Sequence, residues 1–540
     1  MSGTCLLRNG RATTLGRVPR LAFDGFRARV LEAVGEGKRI AALFGLPAVA
    51  PGAGPLPVFA VLADDARGDL EVLSTEVGPR FQALTPDCPQ AHLFERELAE
   101  QFGVVPEGHP WPRPVRFQPP LGGGRDGLPE AASRGTAGAG QSDPPLAGSP
   151  RGLPGVADFF RLEGEGVHEV AVGPVHAGVI EPGHFRFQCH GEDVFHLEIS
   201  LGYQHRGIER ALLGGPHPRT LFQVEAIAGD TTVGHTTAYA QIIETLRGWT
   251  VPPRAEALRA VGLELERLAN HTGDLGALAG DVGFLPTSAF CGRIRGDFLN
   301  LSALLCGSRL GRGLVRPGGV GYDLDTEERL QKLITGLERG RADTRSAIQL
   351  LWETPGVMAR FERTGTVSRE ACRALGLVGP AARACGAERD VRWNFPAGQY
   401  ARSGVPPLPD PELRGGDVLA RAVVRATEIE NSLRFLLDLL ARLPGGGVTG
   451  LAGGSGAAVG LETGTPLPPD MLAVSLVEGW RGEICHVAVT DARGTFARYK
   501  VVDPSFHNWI GLGMALRNQQ ISDFPLCNKS FNLSYCGFDL

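Results

Sequence analysis

DVLARAVVRATEIENSLRFLLDLLARL, residues 417–443, repeats apolar residues at steps of three and four: Val418, Ala422, Ala426, Ile429, Leu433, Leu436 and Leu440. On a helix of ~3.6 residues per turn these fall along one face, whereas a strand would scatter them to both sides of a sheet. The stretch therefore reads as a long amphipathic helix. EALRAVGLELERLANH (256–271) and DTEERLQKLITGLERGRADTRSAIQLLW (325–352) carry the same spacing. A helix with one apolar face must bury it against another element, so these segments together predict a helical bundle.

Outward from the bundle the periodicity changes. Strand-like segments at 168–173, 184–201 and 474–502 predict small antiparallel sheets at its start and near its end. Residues 119–154 are dominated by Pro, Gly, Ala and Ser and bury too little apolar surface to offset their ordering entropy, so they read as a linker. Before them, short apolar runs such as PVFAVLA alternate with helical patterns and end in HLFERELAEQFGV (92–104). The fold class that follows is α+β: a small N-terminal α+β domain over 1–118, a Pro/Gly-rich linker over 119–154, and a mostly helical bundle domain with small antiparallel sheets over 155–540. A length of 540 residues suits two or three units. Residues 444–470 repeat the linker composition within the second unit and read as a long loop without a phosphate-loop pattern.

Composition narrows the function classes. A net charge of -5, with only short basic clusters and no aromatic platform beside them, argues against nucleic acid as a partner. No continuous apolar segment follows the N-terminal arginines, so no secretory signal is expected and the chain is assigned to the cytoplasm. The uncharged run from Ile40 to Ala63 is long enough to span a membrane, but Pro47, Pro51, Pro55 and Pro57 would break a helix through it. Two strands around a Pro/Gly loop fit better, and no direct membrane span is expected. Ten cysteines contain no C-x-x-C pair, which argues against a zinc ribbon, an iron–sulfur cluster or a redox dithiol in this chain.

Several stretches carry a resemblance. HLFERELAEQFGVVPEGHP (92–110) resembles a signature of the small peripheral-arm subunit of respiratory complex I. GPVHAGVIEPGHFRF (173–187), LGYQHRGIE (201–209), LERLANHTGDLGALAGDVGF (265–284), VEGWRGEICHVAV (477–489) and DPSFHNW (503–509) look like the large subunit of membrane-bound nickel–iron hydrogenases and its complex I relative. Both units fused in one chain resemble the formate hydrogenlyase and hydrogenase-4 type of large subunit. In that family a nickel–iron centre hangs from four thiolates, one pair near the start of the bundle and one near the C-terminus. Soft sulfur ligands suit nickel. When FQVEAIAGDTTVGHTTAYAQ (222–241) is aligned with the first pair, Ala228 and Thr231 take the ligand positions with Gly229 between them. In SFNLSYCGFDL (530–540), Ser534 and Gly537 take the second pair, and Cys536 falls one residue off. The resemblance thus implies the frame of the site without its metal ligands, and neither a nickel–iron centre nor another metal is expected. The family's hydrogenases are cut near this point by a maturation protease, and a tail to remove beyond Leu540 is not expected.

The complex I relative also lacks these cysteines, and there the cavity receives a quinone head group between a Tyr and a His. Quinone binding, and NAD binding by the complex, therefore come with the resemblance, although the Tyr position falls near Gly229 and the main hydrogen-bond donor is missing. The candidate catalytic residues are Asp230, His235, Asp281 and Arg481. They are expected to converge in the vacated cavity, where carboxylates beside a histidine in apolar surroundings can relay protons. His176, Arg206, Glu209 and His271 are the candidates for cofactor contact. Each position also has a plainer reading. His235 can be a packed or capping residue, Arg206 and Glu209 a buried pair orienting sheet on bundle, and His271 with Asp274 a helix-end cap. Arg481 can simply neutralise Asp230 or Asp281. The expected function is that of a subunit of a hydrogenase-4/complex I-like oxidoreductase, peripheral on the inner face of the cell membrane. It would contribute to electron and proton transfer beside an iron–sulfur small subunit, which holds the cluster, and above antiporter-like membrane subunits. The alternatives are a quinone-reducing subunit of the NADH-quinone oxidoreductase type and a structural coupling subunit with no substrate of its own.

Overall fold

The computed structural model describes residues 4–47, 54–121, 159–176, 180–404, 414–450 and 465–540. Most of the expected linker, 122–154, and residues 451–464 of the glycine-rich loop lie outside the described residues. The chain is α+β throughout. Its N-terminal unit is a four-stranded antiparallel sheet in the order Cys5–Leu7, Asp69–Val77, Leu56–Asp64, Arg39–Gly45, with helices Phe23–Gly35 and His92–Phe102 packed on it. Arg39–Gly45 and Leu56–Asp64 are the two strands anticipated within the uncharged run, and both are largely buried.

The bundle forms where three-and-four spacing places it. Helix Val418–Leu440 is capped by Asp417, whose side chain accepts from the Ala420 amide at 2.8 Å. It packs against helices Pro253–Asp281 and Glu327–Trp352, and Pro253–Asp281 packs in turn along Leu285–Cys306. At Gly276 the last two helices approach so closely that a β-carbon would lie 2.7 Å from that of Cys291. A three-stranded antiparallel sheet, Asp193–Ser200, His184–His190 and Val167–Val172, precedes the bundle. No described helix is long and apolar enough to cross a membrane.

The sheet that positions the site has the order Phe496–Val502, Gly482–Thr490, Met471–Gly479, Arg11–Thr14, so a strand from the start of the chain completes a sheet made near its end. Every residue of Gly482–Thr490 is buried. Side chains alternate across a strand, and both of its faces are covered. His486 and Ile484 meet helix Thr232–Arg247 on one side, while Glu483 pairs with Arg39 of the N-terminal unit on the other. On the adjacent strand, Lys500 Nζ lies 2.6 and 2.7 Å from the two Glu97 carboxylate oxygens and 3.1 Å from Glu209. Arg498 reaches Glu209 at 2.8 Å. These buried charges persist because each has a partner, and the pairs lock the N-terminal unit onto the sheet.

Candidate functional site

Four segments meet around the positions that the resemblance matches to the family's thiolate pairs. The turn 228–231 is closed by the Thr231 amide donating to the Ala228 carbonyl at 2.9 Å, and both side chains are buried. Helix Thr232–Arg247 begins there without a cap of its own. Glu266, from helix Pro253–Asp281, supplies it by accepting from the Val233 and Gly234 amides at 2.7 and 3.2 Å. Burial pushes the Glu266 carboxyl up to about 8. The two amides pull against that shift, and the nearby Asp230 carboxylate adds to it.

The hairpin tip Trp480–Arg481 reaches over this turn. Arg481 donates to both Asp230 carboxylate oxygens at 2.7 Å and to the Asn532 carbonyl, and its guanidinium stands 3.9 Å above the Trp480 ring. The Trp480 indole donates to the Asp230 carbonyl at 2.9 Å. The Asp230 side chain is 34% exposed and that of Arg481 5%, so the carboxylate is the member that reaches solvent. Burial raises the Asp230 carboxyl, but the Arg481 guanidinium outweighs it and holds the group below the ordinary carboxylate range.

Opposite stands the short helix Tyr535–Asp539, with Ser534 as its cap: Ser534 Oγ accepts from the Gly537 amide at 2.9 Å. A β-carbon on Gly537 would lie 2.6 Å from Asp503 Oδ2 and 2.9 Å from Ser534 Oγ. The Asp503 carboxylate therefore occupies the place where a cysteine side chain at 537 would begin. Ala228, Thr231, Ser534 and Gly537 supply no sulfur. Cys536, 3.4 Å from Ser534 Oγ, has its thiol pushed up to about 11 by burial and is protonated at neutral pH. These residues do not fit a nickel–iron centre.

A hydrogen-bonded string takes their place. Asp503 Oδ2 lies 3.1 Å from His235 Nε2, His235 Nδ1 lies 3.1 Å from His486 Nε2, and His486 Nδ1 lies 2.9 Å from Tyr499 Oη. All four side chains are buried. With Asp503 ionised, the donors run one way: the Tyr499 phenol donates to His486, His486 to His235, and His235 to the carboxylate. Burial holds His486 well below the ordinary imidazole range, which keeps it neutral. Burial also raises Asp503, but the hydrogen bond from His235 and the Arg481 guanidinium bring it below the usual range.

The structure sorts the expected residues. Asp230 and Arg481 pair, and His235 lies at the centre of the string. Asp281 is not brought to them: it sits exposed at the end of helix Pro253–Asp281, where partial burial raises its carboxyl and Lys529 is the neighbouring charge. Besides Asp230, the carboxylates acting on Arg481 are Asp503 and Asp274. His271 and Asp274 share a helix face as anticipated, yet they tie two helices together rather than cap an end. His271 Nε2 is 2.8 Å from Glu428 and Asp274 is 2.6 Å from Arg425, both partners on Val418–Leu440. Arg206 and Glu209 do not form the anticipated pair, because Glu209 turns toward Arg498 and Lys500. Arg206 instead donates to the Ile227 and Cys536 carbonyls at 2.9 Å each, strapping the turn 228–231 to the C-terminal helix. His176 lies apart, 2.9 Å from the Gly183 carbonyl. Sequence reasoning missed Asp503, His486, Tyr499 and Glu266. Asp503 opens DPSFHNW and reads as a helix cap, a role it also fills by accepting from the Ser505 amide at 2.8 Å.

Comparison with known proteins agrees with this frame. Residues 281–452 match the family described as the respiratory-chain NADH dehydrogenase 49 Kd subunit, and residues 56–122 match the 30 Kd subunit. Hydrogenase-4 component G of Escherichia coli (strain K12) is 30% identical over 456 residues, 84% of this chain and 75% of that protein. The chain belongs to this family of membrane-bound hydrogenase and complex I large subunits. Within the family, formate hydrogenlyase subunit 5 of the same organism is 28% identical over 85% of this chain and 76% of its own length. The carbon monoxide-induced hydrogenase of Rhodospirillum rubrum is 30% identical over 68% of this chain and 97% of its own. Among solved structures, a chain of the membrane-bound sulfane sulfur reductase, an archaeal respiratory membrane complex, shares the fold. Its TM-score is 0.64 at 24% identity, covering 70% of this chain and 99% of that one. Both units read first from the motifs are thus present in this chain.

Proposed function

We propose that this chain is the large peripheral-arm subunit of a membrane-bound hydrogenase-4/complex I-like oxidoreductase. It handles protons through an acid–histidine string and holds no nickel–iron centre. The observation that carries this reading is the Asp503 carboxylate standing against Gly537 and bonded to His235, an acid–histidine pair buried beside a position where the resemblance would seat a thiolate. Protonation of Asp503 lets the string reverse: Asp503 then donates to His235, His235 to His486, and His486 to the Tyr499 oxygen. Asp230, partly exposed and beside Arg481, is the neighbouring carboxylate that reaches solvent, and the Asp503 charge acts on it. In this reading the chain lies on the inner face of the membrane beside an iron–sulfur small subunit and above antiporter-like membrane subunits. Of that setting, the names of its relatives, a membrane-bound hydrogenase subunit and a chain of a respiratory membrane complex, support the membrane association.

The test is made on the purified complex and on membrane vesicles that contain it. Nickel should be absent at stoichiometric level and hydrogen evolution with it. Asp503→Asn should leave assembly intact while slowing electron transfer and proton translocation. Stoichiometric nickel refutes the proposal. So does an Asp503→Asn complex with wild-type turnover and pH dependence, which instead fits a structural coupling subunit.

A further inference from the structure

Deeper in the bundle lies a second group of ionisable side chains that the string does not use. Helix Pro253–Asp281 contributes Glu264 and Arg267, and helix Val418–Leu440 contributes Glu428. Arg383 comes from helix Gly379–Ala384, Asp390 and Arg392 from the segment that follows, and Glu478 from strand Met471–Gly479. Arg383 lies 2.7 Å from both Glu428 and Glu478. Arg392 lies 2.6 Å from Asp390 and 3.2 Å from Glu264, and Arg267 lies 3.1 Å from Glu264. Three guanidinium groups thus face four carboxylates. Of the neighbouring charges, Arg389 pairs with Asp65 at 2.9 Å, Arg425 with Asp274, and on the cavity wall Arg259 with Glu244 and Glu256 with Arg402, while Arg11 is exposed to solvent. Tyr400 and Ser432 donate hydroxyl hydrogen bonds to Glu264 and bring no charge. One net negative charge in a dehydrated interior is strongly disfavoured, and one proton removes it.

Two groups can take that proton. His271 lies 2.8 Å from Glu428 through Nε2, but its buried Nδ1 has no partner, so an imidazolium there would strand an N–H donor. Glu478 is better placed. With Arg392 and Tyr400 it lines a cavity of about 510 Å³ between helices Thr232–Arg247 and Pro253–Asp281. The cavity is also lined by Thr237 and Gln399, whose Oγ1 and Oε1 atoms are buried without a protein partner. A polar space of this size admits water.

We propose that this cluster is a proton-binding site of the subunit, loaded from the cavity: a hydronium ion there gives its proton to a Glu478 carboxylate oxygen and leaves water behind. No electron moves. Burial, with repulsion from Asp390, pushes the Glu478 carboxyl up to about 7 against the pull of Arg383, which puts the exchange near neutral pH. That the complex uses this proton rests on the proton-handling function proposed above, whereas the binding itself does not.

Infrared difference spectra of the full chain across neutral pH test it without turnover. In a Glu266→Gln background, which removes the other buried carboxyl raised into this range, a protonated-carboxyl C=O band that shifts in heavy water should appear as pH falls and be lost on adding Glu478→Gln. Tyr400→Phe, which removes a hydrogen-bond donor from Glu264 and leaves that carboxylate's charge less compensated, should move the midpoint of that band upward. Asp503→Asn should leave the band in place, which separates this site from the string. The proposal is overturned if no such band titrates, or if the band survives in a folded Glu478→Gln chain. Should Glu478→Gln not fold, an unmoved midpoint in Tyr400→Phe overturns it equally.

Discussion

Asp503 and Gly537 share one space: a β-carbon on the glycine would lie 2.6 Å from the aspartate Oδ2. Gly537→Ala should therefore destabilise the fold by roughly 1–3 kcal/mol, as overpacking of a well-filled interior does. In an Asp503→Ala background the obstruction is gone and the penalty should shrink. Unfolding free energies arranged as a double-mutant cycle measure the difference, and additive values would mean that the two residues do not compete.

The hairpin tip makes a second, asymmetric prediction. Arg481→Ala abandons the Asp230 carboxylate, the Asn532 carbonyl and the Trp480 ring together. It should cost about 3 kcal/mol, the lower end for orphaning a buried charge, because Asp230 is 34% exposed and water can take over part of the role. Asp230→Asn should cost less, since the arginine keeps its other contacts. Denaturant midpoints at constant m-value decide the order, and a costlier Asp230→Asn would contradict it.

Glu266 sets a pH dependence. Its carboxyl is raised from the ordinary 4.5 to about 8 in the folded chain. Between those values the folded state binds more protons than the unfolded state, so this group's contribution to stability falls as pH rises through the window. Glu266→Gln should flatten that decline when unfolding midpoints are compared across it. The depressed acids Asp230 and Asp503 act in the opposite sense, and only at pH below their ordinary range. An identical slope in the variant would show that Glu266 ionises normally.

Lys500 joins the two units. Lys500→Met leaves Glu97 and Glu209 buried with only Arg116 and Arg498 to face them. A loss of about 3–5 kcal/mol is expected. Adding Glu97→Gln should recover part of it. Protease sensitivity between the units, alongside the unfolding free energy, reads the effect, and a neutral Lys500→Met would mean that apolar packing alone holds them.

What the sequence made legible follows from the range of the interactions. Spacing of three and four marks the helix Val418–Leu440 because that pattern is local. The motifs that hold Ala228, Thr231, Ser534 and Gly537 were legible because each is short. The string was not. His235 finds His486 across 251 residues and Asp503 across 268, and no spacing carries such pairs. His486 was further hidden because Gly482–Thr490 is covered on both faces, so its sequence shows no alternation to mark an inward histidine. Asp281 failed for a related reason: its motif placed it at a helix end, but nothing local fixes which way that end turns.

The pairing of Arg11–Thr14 with Met471–Gly479 bears on biosynthesis. A ribosome releases the first strand long before its neighbour exists, so the emerging chain carries an open strand edge through most of its translation. The helices of the bundle, whose contacts are nearer in sequence, can assemble meanwhile. The sheet that carries His486 and Tyr499 is completed late, and a nascent chain arrested before residue 471 has every long helix of the bundle but no platform for the string.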